Sequence, residues 1–458
     1  MKLEQILGLR GIAILFVLFF HLNFDFFKGG YIGVDIFFVI SGFLITKILF
    51  DDLKKNKSIN IKRFFFRRFS RLIPSYILIL ILVLILGLLL FSNNDFESLL
   101  KSWIYSLTGS SNIYFWDTVS YWDYKAKYNP LIHTWSLSLE FQFYFIIVFI
   151  FFFGLSIHKN KNSIGIYLIA AFILSILIFY LYRHSISAIF YLLPFRLFEF
   201  LSGSIVYFIK KKNYHKFKDV FTLLGVAGIF YSAINFDQST TAYPFIFIPV
   251  LSSCLILIPN NKCLLNFFFN NHLINFFGKI SYTLYLVHWP LICYYKYFFN
   301  ISNLNHYDQI ILTSVILIIS SFIFYYYEKP LQKRLNKRFE KKEKILTKKS
   351  IIFLILISIF LLSLSIIKKY NSSSVYENLD KNYFKIKDKI YKNSSQEILI
   401  LGDSHAEHLL PGIDYFSKRE NITFRFVKRK IVNSLDGQDI INSLFYLNQL
   451  ENINKVIN

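Results

Sequence analysis

Arg10 and His21 lie eleven residues apart in one apolar run, Leu9-Arg10-Gly11-Ile12-Ala13-Ile14-Leu15-Phe16-Val17-Leu18-Phe19-Phe20-His21. Ionisable side chains are costly inside a membrane helix, so each is a candidate for function. At about 1.5 Å rise per residue the two sit roughly 16 Å apart along a helix, about half a bilayer. That spacing suits a reaction joining a reactant on one membrane face to a reactant on the other. A signal peptide with Arg10 in its charged region is the plainer alternative. No small-x-small cleavage site follows, and many more apolar spans do.

The next apolar run follows a polar turn at 25–30 and contains Gly33-Val34-Asp35-Ile36-Phe37-Phe38-Val39-Ile40-Ser41-Gly42-Phe43. His21 stands seven residues before Lys28 and Asp35 seven after it, so a hairpin puts both at one depth. A carboxylate beside an imidazole fixes its tautomer and stabilises its protonated form, as a general base requires. A polar pair that merely pins two helices is the competing reading. Arg63, Arg67, Arg68 and Arg71 cluster where the third span begins. Topology alone explains positive charge there. Yet only 12 of the 51 basic residues are Arg, so Lys is the default cation, and four of those 12 gather in this stretch. Guanidinium offers rigid paired donors for phosphate that ammonium lacks, which points to a cytoplasmic phosphate-rich ligand.

Further ionisable groups are scattered through later spans. Glu140 lies in His133-Thr134-Trp135-Ser136-Leu137-Ser138-Leu139-Glu140-Phe141, and Arg196 and Glu199 stand one helical turn apart. His288 precedes Pro290 in Tyr285-Leu286-Val287-His288-Trp289-Pro290. We expect His133, Trp135, Glu140, Arg196, Glu199 and His288 to face an acceptor substrate. Structural roles compete: Arg196 and Glu199 pairing only with each other, and His288 as a core histidine. Glu328 before Lys329-Pro330 reads as a helix-end anchor. Cys254, Cys263 and Cys293 lack metal-ligand spacing, so neither a disulfide nor a metal is expected.

These groups need helices to hold them. The 458 residues are 55% hydrophobic and 20% aromatic, and mean hydropathy is +0.45. That composition excludes an ordinary soluble domain and suits a polytopic membrane protein. The net charge of +23 sits in short loops between apolar spans, which argues against nucleic acid. Eleven spans are predicted: 8–25, 31–50, 73–91, 132–153, 163–182, 188–209, 219–236, 243–258, 279–298, 308–327 and 350–367. Loops 51–72, 210–218 and 328–349 are rich in Lys and Arg, and the alternate loops are poor. The N-terminus is therefore expected to be cytoplasmic and residues from 368 onward extracytoplasmic. The long outer loop 92–131 is placed to cover a polar substrate. No internal repeat is visible, which counts against a secondary transporter.

After residue 396 the pattern changes. Ile398-Leu399-Ile400-Leu401-Gly402-Asp403-Ser404-His405 reads as a buried strand ending in a sharp turn, the opening of an α/β domain with Ser404 where a nucleophile would sit. A nucleophilic serine needs a base. No Asp-x-x-His follows before Asn458, so Ser404 is expected to lack a competent partner; His405 points away from it and His408 approaches only if the turn is tight.

Taken in order, these segments resemble acyltransferase family three, the membrane-bound O-acyltransferases, with an appended SGNH-type domain. Leu9-Arg10-Gly11, the Arg10–His21 spacing, Gly33-Val34-Asp35-Ile36-Phe37-Phe38, Ser41-Gly42-Phe43, Arg67-Arg68-Phe69-Ser70-Arg71-Leu72-Ile73-Pro74, His133-Thr134-Trp135-Ser136-Leu137 and Tyr285-Leu286-Val287-His288-Trp289-Pro290 carry the resemblance over nearly the whole chain. It implies transfer of an acyl group, usually acetyl from cytoplasmic acetyl-CoA, to a sugar hydroxyl of a bacterial envelope glycan such as lipopolysaccharide O-antigen. It implies essential roles for Arg10 and His21 and a functional Arg68-x-x-Arg71 pair.

The expected fold is an all-α polytopic membrane protein of ten core transmembrane helices and an eleventh tether helix, with a partial α/β SGNH-like segment. The expected domains are 1–330 for the membrane acyltransferase, 331–367 for a basic loop and tether, 368–396 for a linker and 397–458 for an incomplete α/β domain. Catalysis is assigned to Arg10, His21 and Asp35, and acetyl-CoA binding to Arg67, Arg68 and Arg71. Asp403 and Ser404 are the SGNH candidates. The expected setting is the bacterial cytoplasmic membrane, with membrane lipids and an envelope glycan or lipid-linked saccharide as partners and no nucleic acid. The rival functions are a lipid-linked glycan transporter without acyl chemistry, and a transferase that relays the acyl group through Ser404.

Overall fold

The computed structural model describes residues 3–118, 129–158, 163–209, 217–237, 244–258, 269–301, 303–341, 397–402 and 423–428. The chain divides into two units, Met1–Lys368 and Lys369–Asn458. The eleventh span, the 368–396 linker, Asp403 and Ser404 fall outside the described residues.

In the first unit the helices are α1 Leu3–His21, α2 Gly33–Asn56, α3 Ile61–Leu90, α4 Asn93–Leu107, α5 Ser111–Thr118, α6 Thr134–His158, α7 Ser163–Leu181, α8 Ile186–Tyr191, α9 Leu193–Ile209, α10 Lys218–Asn235, α11 Phe247–Leu257, α12 His272–Phe299, α13 His306–Phe322 and α14 Lys329–Glu340. A π-helical turn, Ile323–Glu328, joins the last two. Local chemistry fixes several boundaries. The Asn60 side chain accepts from the Arg63 amide to start α3, and Asn271 accepts from Leu273 and Ile274 to start α12. Asn305 and Asp308 form a reciprocal capping box at α13. Lys57, in a left-handed conformation, closes α2.

The structure refines the expected spans. The third helix starts at Ile61 rather than 73, so the arginine cluster lies on the helix itself. The 188–209 span is broken at Leu192 between α8 and α9. The outer loop 92–131 contains α4 and α5. Among the described residues, five helices are long and apolar enough to cross a membrane by length and composition. Burial is inverted relative to a soluble protein: Ile166 on α7 is 67% exposed, whereas Glu199 on α9 is 0% exposed. Large apolar side chains are exposed on the outward faces, while Asp35, Arg196, Glu199 and Glu328 are buried inside, as lipid solvation favours.

Two close helix pairs frame the interior, α1 with α12 and α2 with α9. Small residues let the backbones approach. Gly42 of α2 lies against the Phe200 carbonyl of α9, and Gly203 of α9 against the Val39 carbonyl of α2. A Cβ at Gly42 would overlap that backbone. Gly42→Ala should destabilise the protein by about 1–3 kcal/mol through overpacking. A lowered unfolding temperature in detergent is the expected readout; an unchanged one would mean that the helices part there without cost.

In the second unit, β1 Glu397–Gly402 and β2 Thr423–Lys428 pair in parallel, with Glu397 opposite Thr423.

Candidate functional site

Among the described residues, α1 contributes to two cavities inside the helical unit. The larger encloses an empty volume of about 770 Å³. Arg10 from α1, Ser41 from α2, Arg68 and Arg71 from α3, Glu140 and Tyr144 from α6, and Ser281 from α12 line it. Arg10 donates from Nε and Nη2 to Ser281 Oγ, at 3.1 and 2.8 Å. Glu140 Oε1 accepts from Ser41 Oγ at 2.9 Å and from Tyr144 at 2.6 Å. Arg68 Nε is buried and has no hydrogen-bond partner. Three guanidinium groups thus face one carboxylate, with donor capacity to spare, and such a cavity attracts anions.

Glu328 stands close behind. Its carboxylate accepts from Ser75 at 3.1 Å and from Thr283 at 2.5 Å, and it is 4% exposed. It is therefore a buried carboxyl group held by two hydroxyls, not a helix-end anchor at the surface. The π turn rotates it inward, and such turns recur at functional sites.

The smaller cavity has an empty volume of about 440 Å³ and is lined by His21, Asp35, His133, Trp135, Arg196, Trp289 and neighbours. His288 Nδ1 lies 3.2 Å from the Leu284 carbonyl, and its Nε2 lies 3.2 Å from His21 Nδ1. A carbonyl can only accept, so His288 carries its proton on Nδ1 and presents a lone pair at Nε2. His21 Nδ1 is then the donor in that contact. The rings of His21 and Trp289 are 4.8 Å apart, edge to face. Both ring nitrogens of His133 are buried without a hydrogen-bond partner, and its ring centroid lies 5.8 Å from that of His288.

The expected His21–Asp35 pair does not form. Both line the same cavity, but Asp35 is held by Arg196 Nη1 at 3.2 Å, and the same nitrogen binds Glu199 at 2.8 Å. Arg196 also lies over the rings of Phe190 and Trp135, at 5.2 and 5.9 Å. Hairpin symmetry fixes depth but not direction around the helix, and Arg196, from a distant helix, captures the carboxylate. Arg196 and Glu199 do pair with each other, as the plainer reading allowed, and Asp35 joins them.

Two further placements differ from expectation. Arg67 is exposed and pairs with Glu340 of α14 at 3.3 Å, outside the cavity that Arg68 and Arg71 line. Glu140 lies in the arginine cavity rather than with the acceptor-side histidines. His133, Trp135, Arg196 and His288 lie with His21, as proposed acceptor-side groups would. Sequence reasoning missed Tyr285, which lines both cavities.

Beyond α1 an open hollow is lined by Phe20, Asn23, Phe24, Asp25, Lys28, Asp237 and the start of α13. Aromatic faces beside amides and carboxylates suit a polar ring-shaped ligand.

A family described as an acyltransferase domain matches residues 3–327. The peptidoglycan O-acetyltransferase OatA of Listeria monocytogenes is 32% identical over 346 residues, covering 71% of this chain and 55% of that protein. The O-acetyltransferase OatA of Staphylococcus aureus is 29% identical over 377 residues, 78% of this chain and 62% of the relative. A putative O-acetyltransferase of Staphylococcus aureus is 28% identical over 423 residues, 88% of this chain and 69% of the relative. The chain thus spans between half and about two thirds of these relatives. No solved structure matches it.

Proposed function

Because the chain belongs to this acyltransferase domain family, we propose that it is a multi-pass membrane O-acetyltransferase that moves an acetyl group from acetyl-CoA to a hydroxyl of a cell-envelope glycan. The observation that carries the reading is that Arg10 and His21, on one helix, open into two different cavities, one ringed by guanidinium and one by imidazole. Arg68 and Arg71, with the buried unpartnered Arg68 Nε, hold the phosphates of CoA, whose thioester supplies the activated acetyl group. Arg10 stabilises negative charge deeper in the same cavity. His21 takes the proton of the acceptor hydroxyl as its oxygen attacks the acetyl carbonyl, and returns it to the departing sulfur. His288 fixes the tautomer that allows this. Asp35, Glu199 and Arg196 hold the floor of the acceptor cavity.

The positive loops support a cytoplasmic side for the arginine cavity and an outer side for the histidine cavity. Peptidoglycan, named for the Listeria relative, is the first acceptor to test, and lipopolysaccharide O-antigen the second. The parallel β1–β2 pair supports an SGNH-like start to the outer segment.

Arg71→Lys tests the donor assignment, since it keeps charge and topology but removes the paired donors. The Michaelis constant for acetyl-CoA should rise about tenfold or more, the worth of a hydrogen bond to a charged group. Arg67→Lys, at a surface ion pair, should leave it unchanged. Equal effects at both positions, or none at Arg71, would remove the arginine cluster from donor binding.

A further inference from the structure

We infer that Tyr285, with Val34 opposite it, is the septum between the two cavities and sets the length of acyl group that crosses. This rests on the proposed transferase reading and adds a specificity-determining residue to it. Among the described residues, Val34 and Tyr285 are the two that line both cavities. Every route from the arginines to His21 through these cavities therefore passes them. The Tyr285 ring lies against the imidazoles, 5.6 Å from His133 and 5.3 Å from His288 between centroids. Its hydroxyl donates to the His133 carbonyl at 2.9 Å and lies 2.6 Å from Ser136 Oγ. Both partners belong to the segment that opens α6, so one short stretch latches the phenol in place.

A latched aromatic ring does two things at this position. It keeps water of the larger cavity from reaching the base, which would otherwise turn transfer into thioester hydrolysis. It also narrows the passage to the histidine cavity, so a two-carbon acyl group passes beside the ring to His21 and longer ones strike it. Each methylene that a pocket must exclude or admit is worth about tenfold or more in selectivity.

The test uses the full chain in proteoliposomes and has two readouts. The first is accessibility. Ser41 lines only the arginine cavity and Ile132 only the histidine cavity. With native cysteines replaced by serine, a membrane-impermeant maleimide applied from the arginine side should label Ser41→Cys and spare Ile132→Cys. Adding Tyr285→Ala should expose Ile132→Cys to the same reagent. The second readout is CoA release from acetyl-, propionyl- and butyryl-CoA. Tyr285→Ala should raise the butyryl-to-acetyl ratio at least tenfold, and Val34→Ala, a milder cut in the same wall, should raise it less. Should Tyr285→Ala not fold, Val34→Ala alone decides by both readouts. Labelling of Ile132→Cys with Tyr285 in place would overturn the septum, and an unchanged ratio would overturn the length gate. Absence of CoA release from every donor in the unmodified protein would instead overturn the transferase reading, while the labelling arm still reports on the wall.

Discussion

His21→Ala is expected to lower acetyl transfer by about two to four orders of magnitude, the usual worth of a positioned general base, while leaving the folded protein and its affinity for acetyl-CoA intact. The reasoning runs from backbone to base. The Leu284 carbonyl accepts from His288, and His288 then accepts from His21. Removing the last member deletes the lone pair but not the arginine cavity, to which His21 does not contribute. His288→Gln, which keeps a polar partner for His21, should retain more activity than His288→Leu. Full transfer by His21→Ala, measured as labelled acetate on the glycan, would exclude His21 as the base.

Arg196→Met is expected to cost about 3–5 kcal/mol of stability, the penalty for stranding buried charge. Arg196 is the shared partner of Asp35 and Glu199, and all three are buried. Without it two carboxylates remain in a low-dielectric interior with no counter-ion. Adding Asp35→Asn and Glu199→Gln to the Arg196→Met protein should recover part of the loss, because neutral amides tolerate burial better. The measurement is the unfolding temperature in detergent. A triple variant no more stable than Arg196→Met alone would show that the guanidinium acts through its packing on Phe190 and Trp135.

Much of this site is legible in the sequence because the membrane makes each ionisable residue informative. Arg10, His21, Arg68 and Arg71 stand out by cost and by arginine usage alone, and all four line cavities. What one-dimensional reasoning lacks is direction. Arg67, Arg68 and Arg71 fall within about 100° of one another around a helix, so periodicity alone does not separate them. The sequence does not say which of them points away from the cavity, because the deciding partner, Glu340, arrives from α14. Asp35 shows the same gap, since its depth follows from the hairpin but its partner lies on α9. His288 is expected on the acceptor side, but its contact with His21 emerges only when α12 packs along α1. Glu328 is hidden by the π turn, which no simple periodicity announces. Tyr285 appears in the sequence only as the first residue of the Tyr285–Pro290 motif, one of 31 tyrosines; its place between the two cavities emerges from the structure.

The central claim is that the acetyl donor and the glycan acceptor meet from opposite faces of the membrane through this one chain. Proteoliposomes of uniform orientation, supplied with radiolabelled acetyl-CoA only on the side of the arginine cluster and glycan only on the other, test it most directly. Free CoA should accumulate on the arginine side and labelled glycan on the opposite side, with neither in His21→Ala vesicles. Labelled glycan formed only when donor and acceptor share one compartment, or no transfer from either side, would contradict it.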